Sequence, residues 1–167
     1  MPAQLVSCRY VEPRDREVIL AIEEANHHFG NGRDERAWDH GALLRFVEMD
    51  RTRLVVLEAA GKVVGFLGID ARLPEAAGDH REAGDVIITR LSVLPHRQGY
   101  GRALLAEAHR IAAMAEGSRL VAPTYDIDTD AHRFFHAMGW TGRPSRNHYG
   151  RHLPAVVFVC PVVAHGQ

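Results

Sequence analysis

The chain has 167 residues with 46% apolar and 25% charged side chains, both ordinary values, and a formal net charge of −1. This length suits one domain over residues 1–167. The near-zero charge gives no field that would favour nucleic acid or an anionic membrane. We see no apolar run long enough to span a membrane and no signal peptide, so no membrane partner is expected. Two cysteines, Cys8 and Cys160, do not make a disulfide framework and favour a reduced, cytoplasmic setting.

The first half of the chain predicts one strand, two helices and a hairpin, because apolar residues recur there first at helical and then at strand spacing. The predicted elements are a strand over 4–11, a helix over Arg14–Asn26, a break over His28–Arg33, a helix over Asp34–Met49, and strands over Arg53–Glu58 and Lys62–Asp70. The short Ala59-Ala60-Gly61 segment between the last two predicts an antiparallel hairpin.

The second half predicts alternating strands and helices that end at glycines. The predicted elements are a polar loop over 71–84, strands over Asp85–Leu94 and Arg119–Tyr125, helices over Gly101–Glu116 and from Asp128 or Asp130 to Met138, a basic loop over Gly142–Pro154, and a last strand over Ala155–Val163. Two strand–helix–strand units favour parallel pairing in this half. The chain therefore predicts a mixed α/β sheet with helices on both faces.

Residues 86–105 form the most informative segment. A run of β-branched residues leads to Pro95, followed by the basic turn His96-Arg97-Gln98-Gly99-Tyr100-Gly101 and an amphipathic helix. Glycines allow a ligand to approach the backbone closely, and the free N–H groups at a helix N-terminus favour negative charge. The segment therefore predicts an anion site, with a plain strand-to-helix turn as the alternative.

This element order and turn resemble the GNAT family of N-acetyltransferases, whose main motif is Arg/Gln-x-x-Gly-x-Gly/Ala after a strand. His96 takes the first position here, and Gly99 and Gly101 match. A second family signature, Ala-x-x-x-Tyr-x-x-x-Gly-Phe, is similar to Ala131-His132-Arg133-Phe134-Phe135-His136-Ala137-Met138-Gly139-Trp140. The frame of that signature matches, but the usual tyrosine is Phe135. The resemblance covers residues 50–160 well and residues 1–50 loosely.

The resemblance implies a single-domain, mixed and mostly antiparallel twisted sheet of six or seven strands. About four helices would cover both faces, and the central parallel strands would splay around a CoA cleft. It also implies direct transfer of an acetyl group from acetyl-CoA, in a ternary complex, to a primary amine of a small molecule, amino acid, peptide N-terminus or lysine. No metal is expected. The alternative is a non-catalytic module that binds acyl-CoA as a sensor or regulator.

By the same resemblance, the backbone N–H groups of the glycine turn would hold the CoA pyrophosphate, and the strand edge before it would pair with the pantetheine arm. One edge N–H would polarise the thioester carbonyl. The cofactor residues implied are Leu91, Ser92, Val93, His96, Arg97, Gln98, Gly99, Tyr100, Gly101, Arg102, Asp128, Phe134 and Phe135. Arg97 and Arg102 would add charge-assisted bonds.

The amine must lose a proton before it attacks, because its solution pKa is about 10. Asp85 matches a position where some family members place a glutamate base, and the alternative is a solvated carboxylate at the end of a loop. Phe135 has no proton for the departing thiolate. The thiolate could leave unaided, because a thiol pKa of about 8.5 makes it a tolerable leaving group. Otherwise Tyr125, Ser92 or His136 could supply the proton.

Two further patterns leave alternatives open. Asp128, His132 and His136 are spaced four apart and would share a helical face, as a metal pair, a proton relay or a solvated stripe. Residues 21–50 are acidic on balance and suit a cationic amine, whereas residues 143–152 are basic and suit an acidic acceptor or the CoA 3′-phosphate. The acceptor is therefore not predicted. An exposed strand edge makes a homodimer an open possibility.

Overall fold

The computed structural model describes residues 5–29, 53–71, 82–126, 128–145 and 155–163. Its elements in chain order are β1 (Val6–Tyr10), a short 3-10 helix (Pro13–Asp15), α1 (Arg16–Phe29), β2 (Arg53–Ala59), β3 (Lys62–Asp70), β4 (Asp85–Val93), α2 (Tyr100–Met114), β5 (Arg119–Tyr125), α3 (Thr129–Ala137), β6 (Thr141–Ser145) and β7 (Ala155–Pro161). The helix predicted over Asp34–Met49 lies outside the described residues, as do most of the polar loop and residues 146–154 of the basic loop.

The described strands form one sheet in the order β1-β2-β3-β4-β5-β7-β6. Neighbouring strands are antiparallel except β4 and β5, which are parallel. The α2 helix provides the long crossover connection that a parallel pair needs. The predicted class, a mixed and mostly antiparallel α/β sheet, is confirmed.

Each face of the sheet has its own apolar core, because side chains alternate along each strand. On one face Ile19 and Ile22 of α1 pack against Leu54, Val56 and Phe66. The other face packs against α2 and α3, and its buried residues include Val55, Leu57, Leu67, Ile69, Leu104, Ala108, Ile111, Phe135 and Phe158. We call these the α1 face and the α2 face. The prediction of helices on both faces is confirmed.

The β2–β3 hairpin closes through the two-residue turn Ala60-Gly61. The φ angles of these residues are 49° and 74°. Positive φ at both central positions is the type I′ geometry, whose twist matches that of the flanking strands. The hairpin was thus predicted correctly from the short Ala-Ala-Gly segment.

Two predictions for the last third of the chain are wrong. Residues 142–145 were predicted to begin a loop, but Thr141–Ser145 forms strand β6, antiparallel to β7. Because the chain already reverses direction through β6, β7 lies antiparallel to β5 and not parallel to it. A Cβ at Gly142 would lie 2.8 Å from the Phe158 ring on β7, so glycine is required there by packing.

The first helix also differs from its prediction. It begins at Arg16, after the 3-10 turn that contains Pro13, and continues to Phe29. His28 was predicted to lie in a break, but it belongs to α1. Among the residues that the structure describes, no helix is both long and apolar enough to cross a membrane.

The Arg9 guanidinium ties β1 to the turn that follows it and to β2. Nη1 and Nη2 donate to Oδ2 and Oδ1 of Asp15 at 2.7 and 2.9 Å, and Nε donates to Glu58 Oε1 at 2.9 Å. The Asp15 side chain is only 4% exposed, and its Oδ2 also accepts from the Glu12 N–H. The bonds from Arg9 lower the pKa of Asp15 below its usual value, although burial acts in the opposite direction.

We expect Asp15→Asn to lower the free energy of unfolding by about 3 kcal/mol near neutral pH, because a buried ion pair loses one partner. Since the folded pKa is lowered, this stabilisation is complete above the unfolded pKa of about 4 and is lost as the pH falls through the folded pKa. Urea unfolding of both proteins at several pH values measures the difference, which should shrink towards acid. A difference of constant size would contradict the ion pair as its cause.

Candidate active site

A β-bulge interrupts β4 at Thr89. Ile88 pairs with Ile69 of β3, and Arg90 pairs with the adjacent residue Gly68, so Thr89 is an extra residue on β4. An extra residue shifts the alternation of side chains by one position beyond the bulge.

Side chains before and after the bulge display this shift. Val86 lies in the core of the α2 face, and Leu91 and Val93 pack against the same core although an odd number of positions separates them from Val86. Arg90 and Ser92 instead contact polar side chains of α1. The bulge therefore directs two polar side chains of β4 to the α1 face.

The parallel strands β4 and β5 pair only over their first residues. The last parallel pair is Ile87 with Val121, whereas β4 continues to Val93 and β5 to Tyr125. β5 stays paired with β7 along its length. Among the described strands, none pairs with this edge of β4 beyond Ile87, so we call it the open edge; the predicted parting of the central parallel strands is confirmed.

The open edge presents the main-chain groups of two residues. The Leu94 N–H donates to the Val64 carbonyl of β3 at 2.8 Å. Because main-chain groups alternate in direction along an antiparallel strand, those of Val93 and Leu91 point away from β3, towards the opening. The main chain of Ser92 faces β3. Of the three predicted edge residues, Leu91 and Val93 therefore present main-chain groups at this edge, and Ser92 does not.

The open edge leads to a helix N-terminus that no side chain caps. Gly99 is the N-cap of α2 with a φ of 81°, and the first turn holds no acidic residue. The Ala103 N–H makes a bond to the Gly99 carbonyl at 3.1 Å. The N–H groups of Gly101 and Arg102 precede that bond and point out of the helix end. A Cβ at Gly99 would have no atom of the described residues within 4 Å.

The side chains around this helix end are mostly exposed and basic. His96, Arg97, Gln98 and Gly99 are exposed, and so is Arg102. Tyr100 is buried in the core of the α2 face. The positive end of the helix dipole and two arginines together can bind an anion such as a phosphate.

The family profile described as "Acetyltransferase (GNAT) domain" matches residues 50–142, which include the bulge, the open edge and the helix N-terminus. The chain belongs to the GNAT family. GNAT acetyltransferases use acetyl-CoA, so the protein is an acyltransferase with acetyl-CoA as its acyl donor.

Solved structures of acetyltransferases share the fold over nearly the whole chain. A GNAT-family protein from Desulfovibrio desulfuricans is 22% identical, with a TM-score of 0.73 over 95% of this chain and 100% of its own. The ribosomal-protein-S18-alanine N-acetyltransferase of Escherichia coli is 17% identical, with a TM-score of 0.68 over 98% and 97%. The Salmonella typhimurium protein yncA, solved with its cofactor acetyl-CoA, is 20% identical, with a TM-score of 0.65 over 98% and 97%. No curated protein matches in sequence.

In this GNAT chain, Gly101 faces a side chain instead of open space. A Cβ on Gly101 would lie 2.9 Å from the Phe134 ring of α3. The glycine was predicted to be needed for the approach of a ligand, but its lack of a side chain lets α3 pack against the first turn of α2. Phe134 itself contacts Phe135 at a centroid distance of 5.3 Å.

Phe135 stands where the GNAT signature usually has tyrosine. It is 5% exposed, stacks on Phe158 at 5.1 Å and lies 5.0 Å from the Trp140 ring. This aromatic cluster gives Phe135 a packing role beneath α3. It has no hydroxyl, so position 135 supplies no proton.

The three predicted substitutes for that tyrosine lie in different surroundings. Ser92 is 7% exposed, and its Oγ accepts from Asn26 of α1. Tyr125 is half-buried at the end of β5, beyond the last parallel pair. His136 is exposed on α3, with its ring edge-on to Phe158 at 5.1 Å. Ser92 and Tyr125 thus both lie on the separated parts of their strands.

Asp85 lies at the paired end of β4. Its Oδ1 accepts from Arg119 Nε at 2.6 Å, and its Oδ2 accepts from Arg119 Nη2 and the Glu82 N–H, both at 3.0 Å. The carboxylate is 2% exposed. Leu91 is six residues further along β4, roughly 20 Å at about 3.3 Å per residue. The structure therefore does not bring Asp85 to the open edge, and its use as the base stays a prediction.

Two of the three residues predicted to share a face of α3, Asp128 and His132, contact the backbone. Asp128 caps α3 by accepting from the Ala131 N–H at 3.1 Å, so its role in the structure is that of a helix cap. His132 Nε2 is 2.9 Å from the Tyr125 carbonyl. Within the described residues, no group of three or more His, Cys, Asp or Glu side chains is arranged to hold a metal.

Asn26 is a residue of this region that the sequence analysis missed. From α1 it contacts Ser92, Val93 and His96. The sequence held one indication of a role for Asn26, because asparagine is a weak helix former and this one was predicted to lie at the end of a helix. The bulge that turns Ser92 towards α1 leaves no such signal.

Proposed function

We propose that the protein transfers the acetyl group of acetyl-CoA to the nitrogen of a primary amine, by direct attack in a ternary complex. The observation that carries this proposal is the continuity of the open β4 edge with the uncapped N-terminus of α2. A pantetheine arm needs an extended partner, and a pyrophosphate needs convergent N–H donors. The open edge of β4 could serve as the extended partner, and the N-terminus of α2, to which it leads, could supply the N–H donors.

In this arrangement the N–H groups at the start of α2 hold the pyrophosphate, with Arg97 and Arg102 adding charge. The pantetheine arm pairs with the main chain of Leu91 and Val93. An N–H on this edge donates to the thioester oxygen as negative charge develops on it, which is the role of an oxyanion hole.

The step itself forms one bond and breaks one. The lone pair of the neutral amine attacks the thioester carbonyl carbon, the C–S bond breaks, and CoA leaves as its thiolate. The attacking nitrogen loses a proton to water or to a protein base. A thiol with a pKa of about 8.5 is a tolerable leaving group, so Phe135 at the usual tyrosine position does not prevent transfer.

Direct attack by the amine is favoured over an acetyl-enzyme intermediate because neither cysteine is suited to act as the nucleophile. Cys8 lies three strands from β4 and Cys160 two strands, roughly 14 and 10 Å at about 4.8 Å per strand. Burial raises the pKa of the Cys8 thiol to about 11, and the nearby Glu107 carboxylate acts in the same direction. Burial also raises the pKa of Cys160.

We further propose that residues 1–167 form one cytoplasmic domain. Two free cysteines fit a reducing compartment. A homodimer would use the outer strand β1, whose Tyr10 is 51% exposed. Light scattering of the purified protein tests the dimer, and a mass equal to one chain would contradict it.

Calorimetric titration with acetyl-CoA, followed by a thiol-release assay, tests the proposed function. The amine panel holds small amines, free amino acids, peptides with a free N-terminal alanine and peptides with an internal lysine. Burial raises the pKa of the Cys8 thiol to about 11, so this thiol is mostly protonated near pH 8 and reacts slowly with the thiol reagent. Thiol release with one amine class supports the proposal. Binding without release supports the sensor alternative, and absence of binding contradicts both.

A further inference from the structure

Asn26 of α1 bonds both to the end of β4 and to the loop after it. We propose that Asn26 is a positioning residue, which fixes the open edge and the loop in the geometry that acetyl-CoA requires. This inference rests on the proposed function, because it assumes that the cofactor lies along that path.

The Asn26 amide uses its donors and its acceptor on three different groups. Nδ2 donates to the Val93 carbonyl at 3.1 Å and to Ser92 Oγ. Oδ1 accepts from His96 Nε2 at 2.6 Å. A reversed amide would place its oxygen against the Val93 carbonyl, so this carbonyl determines the orientation of the side chain.

These bonds hold the two parts of the cofactor path relative to each other. The Val93 carbonyl and N–H both belong to the open edge, so fixing the carbonyl fixes the donor beside it. His96 begins the exposed turn that ends at Gly99, the N-cap of α2. A ligand that contacts both the edge and the helix end binds more tightly when their separation is set beforehand.

Asn26 is not needed to attach α1 to the sheet. Ile19 and Ile22 are buried against the α1 face, and Glu23 Oε1 lies 2.6 Å from Arg90 Nη1. Glu23 precedes Asn26 by three residues and so contacts β4 from the same side of the helix. The printed bond of Glu23 goes to the side chain of Arg90, whereas Asn26 bonds to the Val93 carbonyl and to the loop, so Glu23→Gln is a matched control for any general loosening of α1.

The test compares Asn26→Leu with Glu23→Gln and the wild type. Leucine is close to asparagine in size and is a better helix former. We expect Asn26→Leu to raise the Kd of CoA and the KM of acetyl-CoA about ten-fold, through the loss of several hydrogen bonds, and to change kcat less than about two-fold. Glu23→Gln should leave both constants within about two-fold. A cooperative thermal unfolding transition for each variant is the check that it is folded.

A second comparison asks whether the effect passes through the loop. His96→Ala alone should weaken CoA binding, and adding it to Asn26→Leu should weaken binding little further, because both changes remove the same contact. Fully additive losses would overturn the proposal, and so would a wild-type Kd in a folded Asn26→Leu protein. If Asn26→Leu and Asn26→Ala both fail to fold while Glu23→Gln folds, Asn26 is a stability residue and the proposal fails. A wild-type protein that does not bind CoA would contradict the proposed function instead.

Discussion

Replacing Gly101 with valine is expected to abolish measurable binding of acetyl-CoA. A Cβ at this position would lie 2.9 Å from the Phe134 ring, and the branched side chain of valine adds atoms to that contact. The Phe134 ring must rotate, or α3 and the start of α2 must move apart, and a shift of α2 displaces the N–H groups of Gly101 and Arg102. Overpacking of this kind costs about 1–3 kcal/mol of stability. Calorimetry with acetyl-CoA measures the binding, and thermal unfolding measures the stability.

A second substitution separates two explanations for that loss. If crowding against Phe134 is the cause, Gly101→Val combined with Phe134→Ala should recover most of the binding of Phe134→Ala alone. If the valine instead blocks the ligand, removing the phenyl ring recovers nothing. Unchanged affinity in folded Gly101→Val would contradict the placement of the pyrophosphate at this helix end.

The second large effect is expected for Asp85→Asn. This change leaves the Arg119 guanidinium opposite a neutral amide and removes one acceptor from a buried pair, so it should lower the free energy of unfolding by about 2 kcal/mol. Because Arg119 occupies both carboxylate oxygens, we expect the folded variant to keep the wild-type dependence of kcat on pH. Urea unfolding and a pH–rate profile measure the two effects.

Arg119→Gln is the control for this prediction, because it breaks the same pair from the other side. It should destabilise the protein by a similar amount and leave the pH–rate profile unchanged. A folded Asp85→Asn variant that loses activity specifically around neutral pH, while Arg119→Gln does not, would identify Asp85 as the general base.

The elements that local patterns specify were predicted well. β4, α2 and β5 have strong apolar periodicity and glycine ends, and their observed bounds differ from prediction by two residues at most. β6 was missed because its sequence, TGRPS, has little intrinsic preference for a strand. It forms a strand because β7 offers a partner, and that contact is not visible in local composition.

The predictions for the site also succeeded where the pattern is local and failed where it depends on distant residues. The helix N-terminus with its glycine N-cap could be predicted, because the turn is continuous in the sequence. The partners of Asp85 and Gly101 could not, because Arg119 and Phe134 are more than 30 residues away along the chain. The parting of the central strands was expected only through the family resemblance, and the bulge at Thr89, which sets the direction of Ser92, was not predicted.

Within the described residues, β4 and β5 are paired only up to Ile87 and Val121, and beyond that point the two strands are separate. Leu91 and Val93 pack on the face of the sheet that carries α2, whereas α1 and the side chains of Arg90 and Ser92 lie on the opposite face. Under the proposed function, donor and acceptor would enter by different routes and meet only at the reacting atoms. We expect mutations on the α1 face to change which amine is accepted without any change in the residues that bind acetyl-CoA. Relatives that all use acetyl-CoA can therefore differ in the amine that they prefer.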